Sequence, residues 1–183
     1  APPRRWLANN GVELAFVEGM ESQLDRAATT SSGFQRARLP PVQRGLVGTI
    51  LTRFEQKGLK LVGMKLRVFP KSLLEQHYDV HKERPFFAGL VEFMGSSPVC
   101  ALALEGKDAI SVVRTLVGAT NCRTADPGTI RGDLGMSFSH NLVHASDGED
   151  TAKSELALWF PDAEELCDWT PATETWLYDA EEM

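Results

Sequence analysis

The run Pro98-Val99-Cys100-Ala101-Leu102-Ala103-Leu104 is almost unbroken apolar sequence. A strand with one wet face alternates polar and apolar residues, so a run without alternation reads as a strand buried on both faces. Asp108 to Val117 then returns to helical periodicity, and the same alternation of element types extends to either side. Leu46, Val47, Ile50, Leu51 and Phe54 recur at helical spacing, with Pro40 and Pro41 just ahead and Gly58 as the stop. Leu59-Lys60-Leu61 and Met64 to Val68 alternate as a strand, and Val62-Gly63 marks a bulge or change of phase. Ser72 opens a short helix through Leu73, Leu74 and His77. Arg84-Pro85 opens another, carrying Phe86, Phe87, Leu90, Val91 and Met94.

Residues 118 to 135 are rich in Gly, Thr, Asp and Pro and read as a long loop, which in a compact domain is usually functional. Leu142-Val143-His144 is the next strand. Asp147 then caps a helix bearing Ala152, Leu156 and Trp159, and a turn near Ala163 to Leu166 leads into a tail ending around Tyr178. With a first strand expected near Phe34 to Arg38, the order is βαββαβ, an α+β domain with helices on one face of the sheet. Residues 1 to 33 read as an N-terminal extension. In it Asn9 or Asn10 caps a short helix through Val12, Leu14, Phe16 and Val17, followed by linker-like Ala27 to Gly33. The domain is expected to span 34–183.

Composition narrows the function. The 183 residues are 43% hydrophobic, which suits one globular domain with a real core. A net charge of -6 weighs against a general grip on nucleic-acid backbones. Cys100, Cys122 and Cys167 lack CxxC or His/Cys ligand spacing, so they read as thiols in a reducing compartment, with no structural zinc. No apolar run approaches membrane-spanning length. The reduced thiols fit the cytoplasm, and the start at Ala1 makes an organelle matrix (mitochondrion or plastid), after removal of a targeting segment, the alternative.

One group of residues carries chemistry. Arg114, Thr120, Arg131 and Tyr78 offer two guanidiniums and two hydroxyls, groups that suit a polyphosphate. No GxxxxGK[ST] is present, so a P-loop is excluded. A histidine beside such a cradle can accept a phosphoryl group, and His144 stands at a strand end before a helix cap. Each residue also has an ordinary reading: the arginines as surface charges, Tyr78 and Phe86 as core aromatics, His144 as a hydrogen-bonded structural histidine.

Five segments taken together go further. Val42-Gln43-Arg44-Gly45-Leu46-Val47-Gly48, Arg84-Pro85-Phe86-Phe87-Ala88-Gly89-Leu90-Val91, Gly118-Ala119-Thr120-Asn121, Pro127 to Asp133 and Asn141-Leu142-Val143-His144-Ala145-Ser146-Asp147 resemble the nucleoside diphosphate kinase family. The resemblance runs in order from about Val42 to Tyr178. It implies a ferredoxin-like core, assembly into homo-hexamers or tetramers, and ping-pong transfer of a γ-phosphate from a nucleoside triphosphate to a nucleoside diphosphate. By the same resemblance His144 is the phosphorylated nucleophile, Glu155 holds its far nitrogen and Ser146 supports the site. Tyr78, Arg114, Thr120 and Arg131 are expected at the phosphates, Phe86 and Leu90 at the base, and Asn141 at the sugar. Magnesium is expected to arrive on the nucleotide phosphates rather than in a protein cage.

The chain departs from the family at Arg38-Leu39-Pro40-Pro41, where Lys-Pro-Asp-Gly is usual. Arg38 keeps the charge of the nucleotide-binding lysine in a larger, planar group, and Pro-Pro removes backbone donors. Two readings of different class follow: an active kinase with an altered lysine position, and a weak or inactive member serving as a structural or regulatory subunit. In the second, residues 1 to 33 are an arm for a larger assembly.

Overall fold

The computed structural model describes residues 11–17, 41–138 and 140–179. Its elements are β1 (Gly11–Val17), α1 (Val47–Gln56), β2 (Lys60–Arg67), α2 (Lys71–His77), a 3-10 turn (Asp79–His81) and α3 (Phe87–Gly95). They continue with β3 (Val99–Gly106), α4 (Ala109–Val117), α5 (Ile130–Leu134), β4 (Val143–Ala145), α6 (Glu149–Trp159), a 3-10 turn (Ala163–Glu165) and α7 (Glu174–Leu177). The sheet is antiparallel in the order β2-β3-β1-β4, so the expected ferredoxin-like α+β architecture is present.

Two expectations near the N-terminus change. Val12, Leu14, Phe16 and Val17, expected on a helix of the extension, belong to β1, an interior strand paired with both β3 and β4. A seven-residue stretch carries too short a pattern to separate the two periods, and Val and Phe fit a paired strand well. The first position in the βαββαβ order is thus filled from within the expected extension. The stretch Phe34 to Arg38, expected to fill it, lies outside the described residues.

All of β3 is buried, as its unbroken apolar run requires. Cys100, Leu102 and Leu104 join Ile50 and Phe54 of α1 and Val113 and Val117 of α4 in one core. Val99, Ala101 and Ala103 join Leu74 of α2, Leu90, Val91 and Met94 of α3, and Leu156 and Trp159 of α6 in the other. Helices therefore cover both faces of the sheet, not one. The reason is β3 itself: a central strand without polar positions needs a cover on each side. The bulge expected at Val62-Gly63 appears as a register shift between Leu61 and Gly63. There a Cβ on Gly63 would lie 2.6 Å from Leu166 and 2.9 Å from Phe160, so the close approach of the C-terminal segment demands glycine.

The long loop is also more ordered than expected. It contains α5, whose first turn is capped by Thr129 Oγ1 accepting from the Gly132 N–H at 3.0 Å. Gly118, at the loop entrance, sits at φ +85 with Thr129 directly against the position of a Cβ. Arg53 of α1 ties the loop down, donating to the Gly128 carbonyl at 2.9 Å and pairing with Asp133 at 2.6 Å.

Candidate active site

Strand β4 presents His144, and helix α6 presents Glu155 opposite it. One carboxylate oxygen, Glu155 Oε1, lies 3.2 Å from His144 Nε2. The other, Oε2, accepts the Ser146 hydroxyl at 2.5 Å. An ionised carboxylate only accepts, so His144 carries its proton on Nε2 and its lone pair on Nδ1. Ser146 is fully buried and Glu155 nearly so. Burial pushes the Glu155 carboxyl up, yet the hydrogen bond and charge of His144, the Ser146 hydroxyl and His77 together hold it below its ordinary value.

The backbone just before β4 is unusual. Leu142 has φ 75, and the Val143 N–H donates back to the Asn141 carbonyl at 2.9 Å. A β-carbon-bearing residue in this tight γ-turn costs energy, and such turns persist where surrounding contacts enforce them. Here the enforcing group is Arg131. Its guanidinium donates to Asn141 O at 3.1 Å, Val143 O at 2.7 Å and Gly118 O at 3.0 Å, so one buried side chain fixes both the strand of His144 and the loop entrance.

A cavity of about 550 Å³ opens in front of His144, lined by Tyr78, Leu90, Arg114, Thr120, Arg131 and Glu155 among others. Seven of the residues singled out in the sequence thus meet around one cleft. Arg114 is exposed there and donates to the Ser146 carbonyl at 3.3 Å. Ser146 lies behind the cleft, beneath Glu155. Asn141 is 2% exposed, and its amide Nδ2 has no partner among the described residues. Phe86, the residue before α3, is half-buried with its ring 5.7 Å from that of His81. Arg38 lies outside the described residues.

Several site residues were not anticipated. His77, His81, Asp147 and Thr151 also line the cleft, and Trp159 donates its indole N–H to His77 Nδ1 at 3.2 Å. A signal for two of them was present: Thr151, Glu155 and Trp159 recur every four residues and so share one face of α6. Asp147 was expected to cap α6. The cap position itself falls to Gly148, while Asp147 is held below its ordinary carboxylate value, first by a hydrogen bond with Thr151 and further by Arg114 and His144.

Ligand atoms of His77, His144 and Glu155 lie within 4.8 Å of one another, a spacing that a metal ion could use. The atoms that face one another are already hydrogen-bonded, because Glu155 Oε1 takes the His144 Nε2 proton and His77 Nδ1 takes the Trp159 proton. The cluster is a hydrogen-bonded relay around a histidine.

An α+β domain that sets a carboxylate-held histidine in a cleft with two arginines is a phosphotransferase in its layout. Comparison with known proteins agrees. The nucleoside diphosphate kinase sequence profile matches residues 40–165. The chain is 59% identical to a nucleoside diphosphate kinase from Picosynechococcus sp. over 138 residues, 75% of this chain and 92% of that one. It is 58% identical to one from Synechococcus elongatus over the same shares. Among solved structures it resembles a halophilic nucleoside diphosphate kinase from Halobacterium salinarum in complex with CDP. The TM-score is 0.77 at 41% identity, covering 93% of this chain and 99% of that one. A family protein from Babesia bovis gives a TM-score of 0.78 at 37% identity, covering 92% and 99%. The chain belongs to the nucleoside diphosphate kinase family. Its activity is phosphoryl transfer from a nucleoside triphosphate to a nucleoside diphosphate, and the family needs a divalent cation for it.

Proposed function

We propose that His144 Nδ1 is the atom that carries the phosphoryl group, in a two-stroke exchange between nucleotides. In the first stroke the Nδ1–P bond forms as the bond from Pγ to the bridging β–γ oxygen breaks, and the nucleoside diphosphate leaves with that oxygen. In the second, a terminal oxygen of another diphosphate attacks the same phosphorus and His144 departs with its lone pair. Glu155 balances the charge that Nε2–H gains while Nδ1 is bonded to phosphorus. The observation that carries this reading is the 3.2 Å pair between His144 Nε2 and Glu155, which assigns the lone pair to Nδ1 in a basic cleft. Transfer of this kind rests on positioning and charge neutralisation, which the site residues supply together with the divalent cation on the phosphates.

The remaining roles are those the family resemblance implies, and the cleft lining supports them for Tyr78, Leu90, Arg114, Thr120 and Arg131. Arg114, Thr120, Tyr78 and the remaining donor capacity of Arg131 suit the phosphates. Leu90, with Phe86 beside it, suits the base, and the Asn141 amide suits a sugar hydroxyl. Mg2+ is the fitting cation. It prefers oxygen ligands and retains water, and Glu155 is already committed to two hydrogen bonds, so the phosphates themselves would hold the ion with Asp147 as the neighbouring carboxylate. By the resemblance, Arg38 stands in the sequence where the family's lysine serves the terminal phosphate and the sugar.

Strand β2 is a sheet edge whose Met64 and Leu66, with Val68 just past its end, are about half exposed, 45%, 56% and 53%. Such an edge favours pairing with another copy, consistent with a homo-hexamer or tetramer. The larger-assembly reading assigns the part of residues 1–33 outside β1 to an interaction arm. Among the described residues no helix is long and apolar enough to cross a membrane. We place the protein in the cytoplasm, with an organelle matrix as the alternative.

The test is direct. Incubation with γ-labelled ATP should leave an acid-labile, base-stable phosphoryl group on the wild type and none on His144→Ala. A wild type that takes no label, or an alanine variant that keeps it, would overturn the assignment.

A further inference from the structure

His77 ends helix α2, and its side chain is 2% exposed. Its ring packs edge-on against His144, with centroids 5.3 Å apart, and against Trp159 at the same separation. Its Nδ1 lies 3.7 Å from Glu155 Oε1, the oxygen that also faces His144 Nε2 at 3.2 Å. Two imidazoles therefore stand beside one carboxylate oxygen, and only one of them can serve phosphoryl transfer.

We propose that Trp159 and His77 are positioning residues for the His144–Glu155 pair: the indole N–H, donated into His77 Nδ1, keeps that nitrogen an acceptor and so reserves Glu155 for His144. This rests on His144 as the phosphoryl carrier. A proton on His77 Nδ1 would set two N–H groups against each other within 3.2 Å. A buried donor without an acceptor is disfavoured, so neutral His77 holds its proton on Nε2. Without the indole donor, Nδ1 can take a proton, and His77 becomes a cation beside Glu155. That cation would draw the carboxylate away from His144 and weaken the hold on Nε2–H.

The surroundings of His77 agree with this. Burial, first, and then the His144 and His81 charges hold its pKa down to about 4, with Glu155 acting in the opposite direction. These groups come from α6, β4 and the 3-10 turn, the elements around the ring that carry titratable side chains. Helix α3 also packs on α2, and its one charged residue, Glu92, is exposed. Trp159 adds a directional constraint that these charges lack, since it acts on one ring nitrogen.

The test measures the single-turnover rate of phosphohistidine formation from pH 5 to pH 9. It compares wild type, Trp159→Phe, and Trp159→Phe combined with His77→Gln. Circular dichroism and thermal midpoints report folding of each. In Trp159→Phe the acid limb should move up by about one pH unit, the size expected for one lost hydrogen bond. The double variant, which cannot protonate at position 77, should return that limb to its wild-type position. Nitrogen-15 spectra should show His77 with its proton on Nε2 in the wild type and a mixture in Trp159→Phe. An unshifted acid limb in Trp159→Phe, or a shifted limb that persists in the double variant, would overturn the proposal. Absence of label on the wild type would instead overturn His144 as carrier, and the nitrogen-15 spectra would still decide whether Trp159 sets the His77 tautomer.

Discussion

Ser146 and Glu155, nine residues apart, meet at 2.5 Å, and Glu155 in turn faces His144. Because Ser146 takes one oxygen, Glu155 has a single oxygen left for His144, and its orientation is fixed from behind. Glu155→Gln would place an amide N–H against one of two donors. The expected result is a loss of kcat/KM of about 10- to 100-fold, or about 1.4 to 2.7 kcal/mol at the transition state. Ser146→Ala should cost less, about tenfold, the scale of one hydrogen bond to a charged group. Steady-state kinetics of the two variants should keep that order.

Stability should depend on pH through His77. Its folded-state pKa of about 4 lies below the ordinary 6.5. Between those values the unfolded chain binds a proton that the folded chain refuses, so stability falls as pH drops from about 6.5 to about 4. The difference corresponds to about 3 kcal/mol. Glu155 acts separately, since its lowered pKa contributes stability that is lost only as pH falls below the ordinary carboxylate range. Denaturant midpoints should show a slope between pH 6.5 and pH 4 that His77→Gln flattens.

Arg131 gives three N–H groups to carbonyls of Gly118, Asn141 and Val143. Lysine keeps the charge but not the planar fork. Arg131→Lys should therefore lower stability as well as activity, by about 3 kcal/mol for two lost charge-assisted bonds. An Arg114→Lys variant, on an exposed side chain, should lose activity while its thermal midpoint stays near that of the wild type. Thermal melts and kinetics on the pair separate the two kinds of arginine.

Gly118→Ala combines a positive φ with a Cβ placed against Thr129. The expected cost is about 2 kcal/mol. Because Thr120 lies two residues further on, KM for the nucleotide should rise more than kcat falls. Chemical denaturation and initial rates on one preparation test both.

Much of the architecture was readable because it followed from strong local patterns. The apolar run at β3, the helical spacing and Gly stop of α1, and the glycine at the Val62-Gly63 bulge each have one structural solution. The cleft was readable from five segments acting together, with His144, Glu155, Arg114, Thr120 and Tyr78 converging as expected. Three features were not. β1 is specified by its partners on both sides, and seven residues say little about partners that are ordered only by the fold. The second helical layer was missed although β3 demanded it. His77 and Trp159 escaped because their meaning lies in a bond across 82 positions, invisible to spacing.

The histidine stands on a three-residue edge strand whose geometry is held by Arg131, and its carboxylate comes from a helix across the sheet. The cleft draws on chain from His77 to Glu155, and β4 is anchored on β1 near the N-terminus. The site is therefore complete only when β1, β4 and α6 are all in place. Regain of enzyme activity during refolding should consequently act as a clock for completion of the whole domain, appearing last and in one step.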